Sequence, residues 1–150
     1  MSAKGRPERE YRSAQHEGTP VSAPGDDVAM AAAWGDDARQ LLQCGEIARA
    51  TAEAMRAVAV LRTAGAPEPL AVALAVAAEA QAEAGHLDPA LQLATESVAI
   101  AQASGDGRTL ARACLALGEL HGILGQLSES VRLLGQALAI DVNQVPRLRL

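Results

Sequence analysis

Histidine and cysteine are the side chains of this sequence that could hold a metal ion or act as a nucleophile. The 150 residues include His16, His86, His121, Cys44 and Cys114. A zinc site brings about four such ligands together, usually as closely spaced pairs, and none of the five has another nearby in sequence. A nucleophilic cysteine needs a neighbouring base, which Cys44 lacks. We therefore expect no metal site, no cofactor and no catalytic residue, and a packing role for Cys44.

Three other features with chemical potential have structural explanations. His121 lies within a predicted helix, at a position that packs between helices, so we predict a partly buried structural residue. Cys114 belongs to an apolar stripe and is predicted in the core. The segment Gly105-Asp106-Gly107-Arg108-Thr109 superficially resembles a phosphate-binding loop, but it lacks the spacing and the lysine of that motif. We interpret it as a turn.

Regularly spaced glycines show how the chain is organised. Gly45, Gly85 and Gly125 are 40 residues apart, and so are Gly25, Gly65 and Gly105. Small residues keep the same register: Ala38, Ala78 and Gly118 come seven residues before the first set, and Ala50, Ala90 and Ser130 come five after it. A fixed period of this length is typical of stacked structural repeats. We predict three copies, at about 25–64, 65–104 and 105–144.

Each copy is predicted to contain two helices. We expect the first helices at 29–44, 69–84 and 109–124, and the second helices at 48–63, 88–103 and 128–142. Apolar residues such as Leu110, Cys114 and Leu117 recur at helical spacing, and a glycine follows each first helix, where a left-handed conformation ends helices. Asp88 and Ser128 are predicted N-caps. The turns between copies are predicted at Gly25-Asp26, 64–67 and 104–107. The fold class is all-α, and the alternative to a repeat array is an alanine-rich helical bundle.

This pattern resembles the tetratricopeptide repeat (TPR) family in a 40-residue form. The family's motif has a small residue, a glycine seven later and an alanine five after that, and a large residue four before the first small one. That last position holds Trp34, Leu74 and Cys114. The usual aromatic positions differ and hold Leu41, Gln81, His121, Ala54, Ala94 and Leu134 instead, and the usual proline near the repeat end is missing. The resemblance covers about 25–144 and implies a helical-repeat solenoid of three TPR-like helix-turn-helix units.

The resemblance also implies a function and a site. TPR proteins are interaction modules or adaptors that present a concave groove, lined by the first helices, to a partner protein. The family's partner-contacting positions, carried onto this sequence, include Arg39, Gln43, Glu79, Glu83, Arg112, Leu115 and Glu119. The acidic residues among them favour a protein or peptide with basic residues. We expect a non-enzymatic, regulatory role. The alternatives are a structural oligomerisation unit and a small-molecule-binding accessory to an enzyme.

Composition narrows the range of partners and locations. The net charge of −5 disfavours binding to nucleic acid, which depends on neutralising phosphates. No apolar run approaches the roughly 20 residues of a membrane span. Residues 1–24 mix charges with glycine and proline, so we predict a disordered leader and no signal peptide. Residues 145–150 are a predicted C-terminal tail. With only two cysteines, we expect a cytoplasmic protein.

The last copy is predicted to expose apolar residues. Each repeat buries one face against the next, so the final repeat of an array needs a polar cap. The second helix of the third copy carries Val131, Leu134, Leu138 and Ile140 on that face. The remaining residues are too few for a full capping helix. We expect a homodimer through this end, and the alternatives are a partner that caps it or a longer array.

Overall fold

The computed structural model describes residues 24–144, with side chains described for 25–140. Six helices occupy this range: α1 Pro24–Gln43, α2 Ile47–Ala64, α3 Pro67–Glu83, α4 Leu87–Ser104, α5 Gly107–Ile123 and α6 Leu127–Gln144. No strand occurs among the described residues. The prediction of an all-α array of three helix pairs is confirmed. The predicted leader at 1–24 and tail at 145–150 lie outside the described residues, except for Pro24.

Glycine ends the first helix of each pair, as predicted. At the end of α1, Gly45 has a φ of +81°, a conformation that side chains with a Cβ rarely adopt. The Gly45 N–H donates to the Leu42 carbonyl at 3.0 Å, and the Glu46 N–H donates to the Leu41 carbonyl at 2.9 Å. These two bonds satisfy carbonyls that the helix end would leave unpaired. The same pair of bonds ends α3 and α5, at positions 40 and 80 residues later.

The helices begin earlier than the sequence predicts, and the difference is largest in α1. That helix begins at Pro24 rather than at residue 29, so the predicted turn at Gly25-Asp26 is wrong. Asp26 and Asp27 lie in the first turn of α1. Carboxylates in that position are stabilised by the unpaired N–H groups at a helix N-terminus, which explains why a stretch with turn-like composition is helical.

The predicted N-caps are also wrong. His86 holds the N-cap position of α4, and its carbonyl accepts from the Ala90 N–H at 3.1 Å. Asp88 therefore lies inside the first turn, and Ser128 is the second residue of α6. In α4 the N-cap position falls on the residue directly after Gly85, so Asp88 comes two residues too late to cap the helix. In α5, by contrast, the Asp106 side chain accepts from the Thr109 N–H at 3.0 Å.

Alanine and other small residues form much of the core. Ala38, Ala78, Ala50 and Ala90 are fully buried, and Gly118 and Ser130 are buried at the corresponding positions of the third copy. Small residues let the paired helices approach closely, so the larger Leu61, Leu74 and Cys114 fill the spaces between copies. The predicted core position of Cys114 is confirmed, and burial raises the pKa of its thiol.

Candidate partner-binding face

The first helices of the three copies lie side by side. In the described part of the chain, α1 has Cα atoms within 8 Å of α3, and α3 within 8 Å of α5, whereas α2, α4 and α6 do not approach one another in this way. The first helices are therefore packed closer to one another than the second helices are. We call the surface that carries the seven predicted binding residues on α1, α3 and α5 the first-helix face.

The structure places the seven predicted residues at varied depths on this face. Arg39, Glu79 and Arg112 are half-buried, whereas Gln43, Glu83, Leu115 and Glu119 are exposed. Arg39, Glu79 and Glu119 occupy equivalent positions on three neighbouring helices and form a row across the array. All seven residues are accessible to a partner.

Glu79 lies at the centre of this row and experiences the charges around it. Burial is the largest cause of its raised pKa, followed by repulsion from Glu119. Arg39 acts in the opposite direction, and Glu83 adds a smaller repulsion. The carboxylates therefore lie close enough to interact, and a cation placed between Glu79 and Glu119 would relieve the repulsion.

Arg39 supplies a positive group at one end of the row. Its guanidinium Nη2 is buried and makes no hydrogen bond. Among the described residues, the three ion pairs involve other arginines, and none of them includes Arg39. The side chain as a whole is half-buried, so its positive charge can still attract a carboxylate of a partner.

A hollow of about 250 Å³ lies beside this row, between the start of α3 and the middle of α1. Its lining comprises Ala32, Gly35, Asp36, Glu68, Pro69, Val72, Ala73 and Thr109. Asp36 and Glu68 add two carboxylates to the rim, and neither was among the predicted site residues. Helical spacing could have identified them, since each lies four residues from a small apolar residue of the same lining, Ala32 or Val72.

Arg112 and Leu115 line a different hollow, between α5 and α6, together with Leu134 and Leu138. The seven predicted residues therefore do not form one pocket. Arg39, Glu83 and Glu119 each act electrostatically on Glu79, while Arg112 and Leu115 extend the first-helix face to the end of the array.

Comparison with solved structures shows what this architecture resembles. The TPR domain of Arabidopsis FLU superposes with a TM-score of 0.68 at 15% identity, over 81% of this chain and 100% of that one. A Podosopora anserina putative kinesin light chain with nearly identical TPR-like repeats gives 0.68 at 21% identity, over 83% of this chain and 59% of that one. A single-residue variant of it gives 0.63 at 22% identity, over 75% and 55%. The fold is a TPR fold.

Comparisons of sequence add nothing to this, because no family model and no curated protein matches the chain. The structural likeness, at 15–22% identity, concerns the TPR fold alone. The prediction of a TPR-like fold is therefore confirmed.

Two histidines of the TPR array each form a hydrogen bond with a glutamine side chain across a glycine turn. His86 bonds Gln81 (Nδ1 to Oε1, 2.9 Å), and His121 bonds Gln126 through the same kinds of atoms. Positions 81 and 121 are equivalent in the repeat, and so are positions 86 and 126. The glutamine therefore precedes the histidine in the second copy and follows it in the third. His121 is half-buried, as predicted, and both bonds join the end of a first helix to the following turn.

The cysteine predictions have mixed outcomes. Cys44 is exposed, so the packing role predicted for it is wrong. It follows the last residue of α1 and precedes Gly45, where the chain turns away from the core.

Among the described residues, no group of three or more histidine, cysteine or acidic side chains is arranged to hold a metal ion. None of the described helices is both long enough and apolar enough to cross a membrane.

Proposed function

We propose that the protein is a non-enzymatic interaction module whose first-helix face binds a basic segment of a partner protein. The observation that carries this proposal is the environment of Glu79 on the first-helix face, where burial raises the pKa of the carboxyl and repulsion from Glu119 and Glu83 raises it further. A lysine or arginine side chain between Glu79 and Glu119 would replace that repulsion with charge-assisted hydrogen bonds. The TPR fold supports the proposal, because it presents one face of each first helix along a continuous surface.

The two ends of the row indicate how a bound segment would be oriented. Arg39 places a positive charge on α1, while Glu79 and Glu119 offer acceptors on α3 and α5. A peptide that crosses the three helices would therefore place a carbonyl or carboxylate oxygen near Arg39 and a basic side chain near α5. Complementarity of this kind determines which partner binds and in which direction. We infer a regulatory adaptor role from this selectivity.

The test is binding of fluorescent peptides that differ only in charge, measured by polarisation. We expect a lysine- and arginine-containing peptide to bind the wild type, and its acidic counterpart to bind weakly. A Glu79→Gln/Glu119→Gln variant should lose about tenfold or more in affinity, equivalent to roughly 1.4 kcal/mol. The matched control is Glu46→Gln/Glu129→Gln, which changes the net charge equally at two exposed positions off the face.

The control separates a site from a general charge effect. An equal loss of affinity in both variants would contradict the proposal, because net charge alone would then explain the attraction. Unchanged binding to the Glu79→Gln/Glu119→Gln variant would contradict it as well, because the two carboxylates would then take no part in binding. Capture from a native lysate, with a Glu79→Lys/Glu119→Lys variant beside the wild type, identifies the natural partner. A protein that is retained by the wild type and lost by the folded variant would carry the segment.

Self-association is a second candidate function, supported by a separate observation. Leu127, Val131 and Leu138 of α6 are 68%, 70% and 65% exposed. Exposed apolar residues in a contiguous stripe usually mark an interface. We propose that the last copy forms a contact with a second copy of the chain, as the homodimer prediction expects. The dependence of molecular mass on protein concentration tests this candidate.

A further inference from the structure

The last copy carries an open apolar hollow between its two helices. It has a volume of about 410 Å³ and is lined by Ala111, Arg112, Leu115, Leu134, Ala137 and Leu138. Leu115 is 44% exposed and Leu138 is 65% exposed. Side chains of this size are seldom left open without a partner when they form a contiguous surface.

The equivalent surface of the first copy is covered by the next first helix. Ala31, Ala54 and Val58, which correspond to Ala111, Leu134 and Leu138, are buried in one cluster. The same cluster contains residues of α3, namely Leu70, Ala73 and Leu74. The hollow between α1 and α2 is therefore the site at which α3 docks.

The second copy repeats this arrangement. Ala71 and Val98, from α3 and α4, pack with Leu110 and Ala113 of α5. Two successive junctions thus use equivalent positions to hold a first helix. The hollow between α5 and α6 is formed by the equivalent positions of the third copy.

Among the described helices, α1 is the first helix that has no preceding helix pair to receive its docking surface. Its residues Met30, Ala33 and Trp34 are equivalent to the docking residues Leu70, Ala73 and Leu74 of α3. Met30 is 46% exposed and Ala33 is exposed, whereas Trp34 is half-buried, with the Arg56 guanidinium 3.8 Å from the centroid of its ring. In α3, the three equivalents are at most 7% exposed.

Side-chain sizes at the two ends are complementary. At the first junction, Gly35 lines a hollow with Pro69 and Val72. At the end of the array, Leu115 stands in place of Gly35, and α1 carries Ala29 and Ala32 in place of the proline and the valine. The larger residue on the receiving side therefore faces smaller residues on the docking helix.

Charges at the two ends are complementary as well. α1 carries four aspartates, two of them in its first turn, and one arginine. Arg112 lines the receiving hollow, and Arg108 lies one turn before it on α5. Opposite charges favour this pairing, whereas contact between two identical α5–α6 ends would bring like arginines together.

We propose that α1 of a second copy docks in the hollow between α5 and α6, so that copies join head to tail and continue the array. The inference rests on the self-association candidate and specifies its geometry. A heterologous contact of this kind produces chains or rings rather than only closed pairs. Asp37 stands where Ala77 and Leu117 are buried, so its charge keeps the contact weak.

The test uses two variants of the full chain that each block one side of the contact. Ala33→Arg obstructs the docking surface of α1, and Leu138→Glu places a charge in the hollow. By sedimentation equilibrium, we expect the wild-type mass to rise above 15.4 kDa with concentration, and each variant alone to stay monomeric. An equimolar mixture should form 1:1 pairs and nothing larger, because it contains one intact surface of each kind.

A third variant tests the cause of the weak contact. Asp37→Ala restores the small residue found at the equivalent position of α3, so we expect it to strengthen association by about tenfold or more, since a buried carboxylate is removed. Unchanged association of Asp37→Ala would overturn the head-to-tail register, because the aspartate would then lie outside the contact.

Other outcomes overturn the proposal in distinguishable ways. A wild type that remains monomeric at all concentrations removes both self-association and this geometry, while peptide binding to the first-helix face stands or falls separately. If Ala33→Arg still associates while the mixture forms no mixed pairs, the contact joins two identical ends, and only the geometry is wrong. Circular dichroism checks the helicity of each variant. Met30→Glu and Leu115→Glu replace any variant that fails to fold.

Discussion

Glu79 combines partial burial with repulsion from neighbouring carboxylates, and its protonation therefore affects stability. Burial, Glu119 and Glu83 raise the pKa of Glu79 above its ordinary value of 4.5, and Arg39 offsets only part of this. A carboxyl with a raised pKa in the folded state contributes stability below its unfolded pKa, and that contribution is lost as the pH rises through the folded pKa. At neutral pH, the ionised Glu79 is therefore a destabilising group that a cationic partner would relieve.

We predict that Glu79→Gln increases the free energy of unfolding at pH 7, because the uncharged amide avoids both the burial penalty and the repulsion. The advantage should shrink as the pH falls toward 4, where the wild-type carboxyl becomes protonated. Urea denaturation of the wild type and the variant at the two pH values measures the difference. A variant less stable than the wild type at pH 7 would mean that the attraction of Arg39 dominates.

Ser97 is a buried polar residue whose hydroxyl donates to the Ala71 carbonyl at 2.6 Å. The equivalent positions of the other copies hold Ala57 and Ala137. We predict that Ser97→Ala costs about 1 kcal/mol or less, because the Ala71 carbonyl keeps its own helical hydrogen bond. Ser97→Val should cost more, about 1–3 kcal/mol, since it overfills a close helix contact. Urea denaturation compares the two, and a loss of about 3 kcal/mol or more for Ser97→Ala would contradict this account.

At the scale of the helices, α5 begins with a side-chain cap that α2, α3 and α4 lack. Asp106 accepts hydrogen bonds from the N–H and the hydroxyl of Thr109, which lower its pKa. We predict that Asp106→Ala lowers the melting temperature at neutral pH, and that Asp106→Asn, which can still cap, retains most of it. For the wild type, the carboxylate's contribution is present above its unfolded pKa and is lost as the pH falls through the lowered folded pKa. Equal melting temperatures for the alanine variant and the wild type at pH 7 would show that the cap is dispensable.

Two helical glycines of the third copy offer a matched comparison. A Cβ added at Gly135 would meet nothing within 4 Å, whereas one added at Gly118 would lie 3.0 Å from Leu134 Cδ2 and 3.2 Å from Leu133 Cβ. We predict that Gly135→Ala stabilises the protein by about 0.5–1 kcal/mol through helix propensity alone. Gly118→Ala should gain less or become destabilising, because α6 must shift. Chemical denaturation at low protein concentration tests this, and an equal or larger gain at Gly118 would refute the close contact.

The glycine period predicts the helices well because it reports a backbone requirement. Gly45 and its equivalents need positive φ values, and only a helix followed by a tight turn explains their spacing. Helix beginnings are predicted less well, since they depend on which backbone group the turn leaves free. For that reason, His86 rather than Asp88 holds the N-cap position, and Gly25 lies inside α1 rather than in a turn before it.

The site was predicted in part, for a related reason. Repeat register places Arg39, Glu79 and Glu119 in one row, because equivalent positions of a solenoid share a face. Register gives no distances between helices, so it could not indicate that Glu79 is half-buried or that Asp36 and Glu68 line the same hollow. The depth of a residue depends on how closely α1, α3 and α5 approach, and only the packed structure contains that information.

At the scale of the whole molecule, stability is distributed along the array. Each helix pair contacts only its neighbours, so the stability of such an array is approximately a sum of copy and junction contributions. The junction between copies 1 and 2 lies between two helix pairs and is buried, whereas α6 at the end of the array leaves Val131 and Leu138 exposed. Opening should therefore begin at α6 and progress inward, as local unfolding does in regions with few buried contacts.

A pair of identical substitutions tests this order of unfolding. Leu74, fully buried at the first junction, and Leu133, 2% exposed within the last copy, can each be truncated to alanine, which typically removes about 2–5 kcal/mol. For Leu133→Ala, we expect faster amide hydrogen exchange in α5 and α6 and unchanged protection in α1–α3, because the last copy can open alone. Leu74→Ala should reduce protection in helices on both sides of the junction it divides. If Leu133→Ala accelerates exchange equally throughout the described helices, the array unfolds as one unit, and the exposed end is not where opening begins.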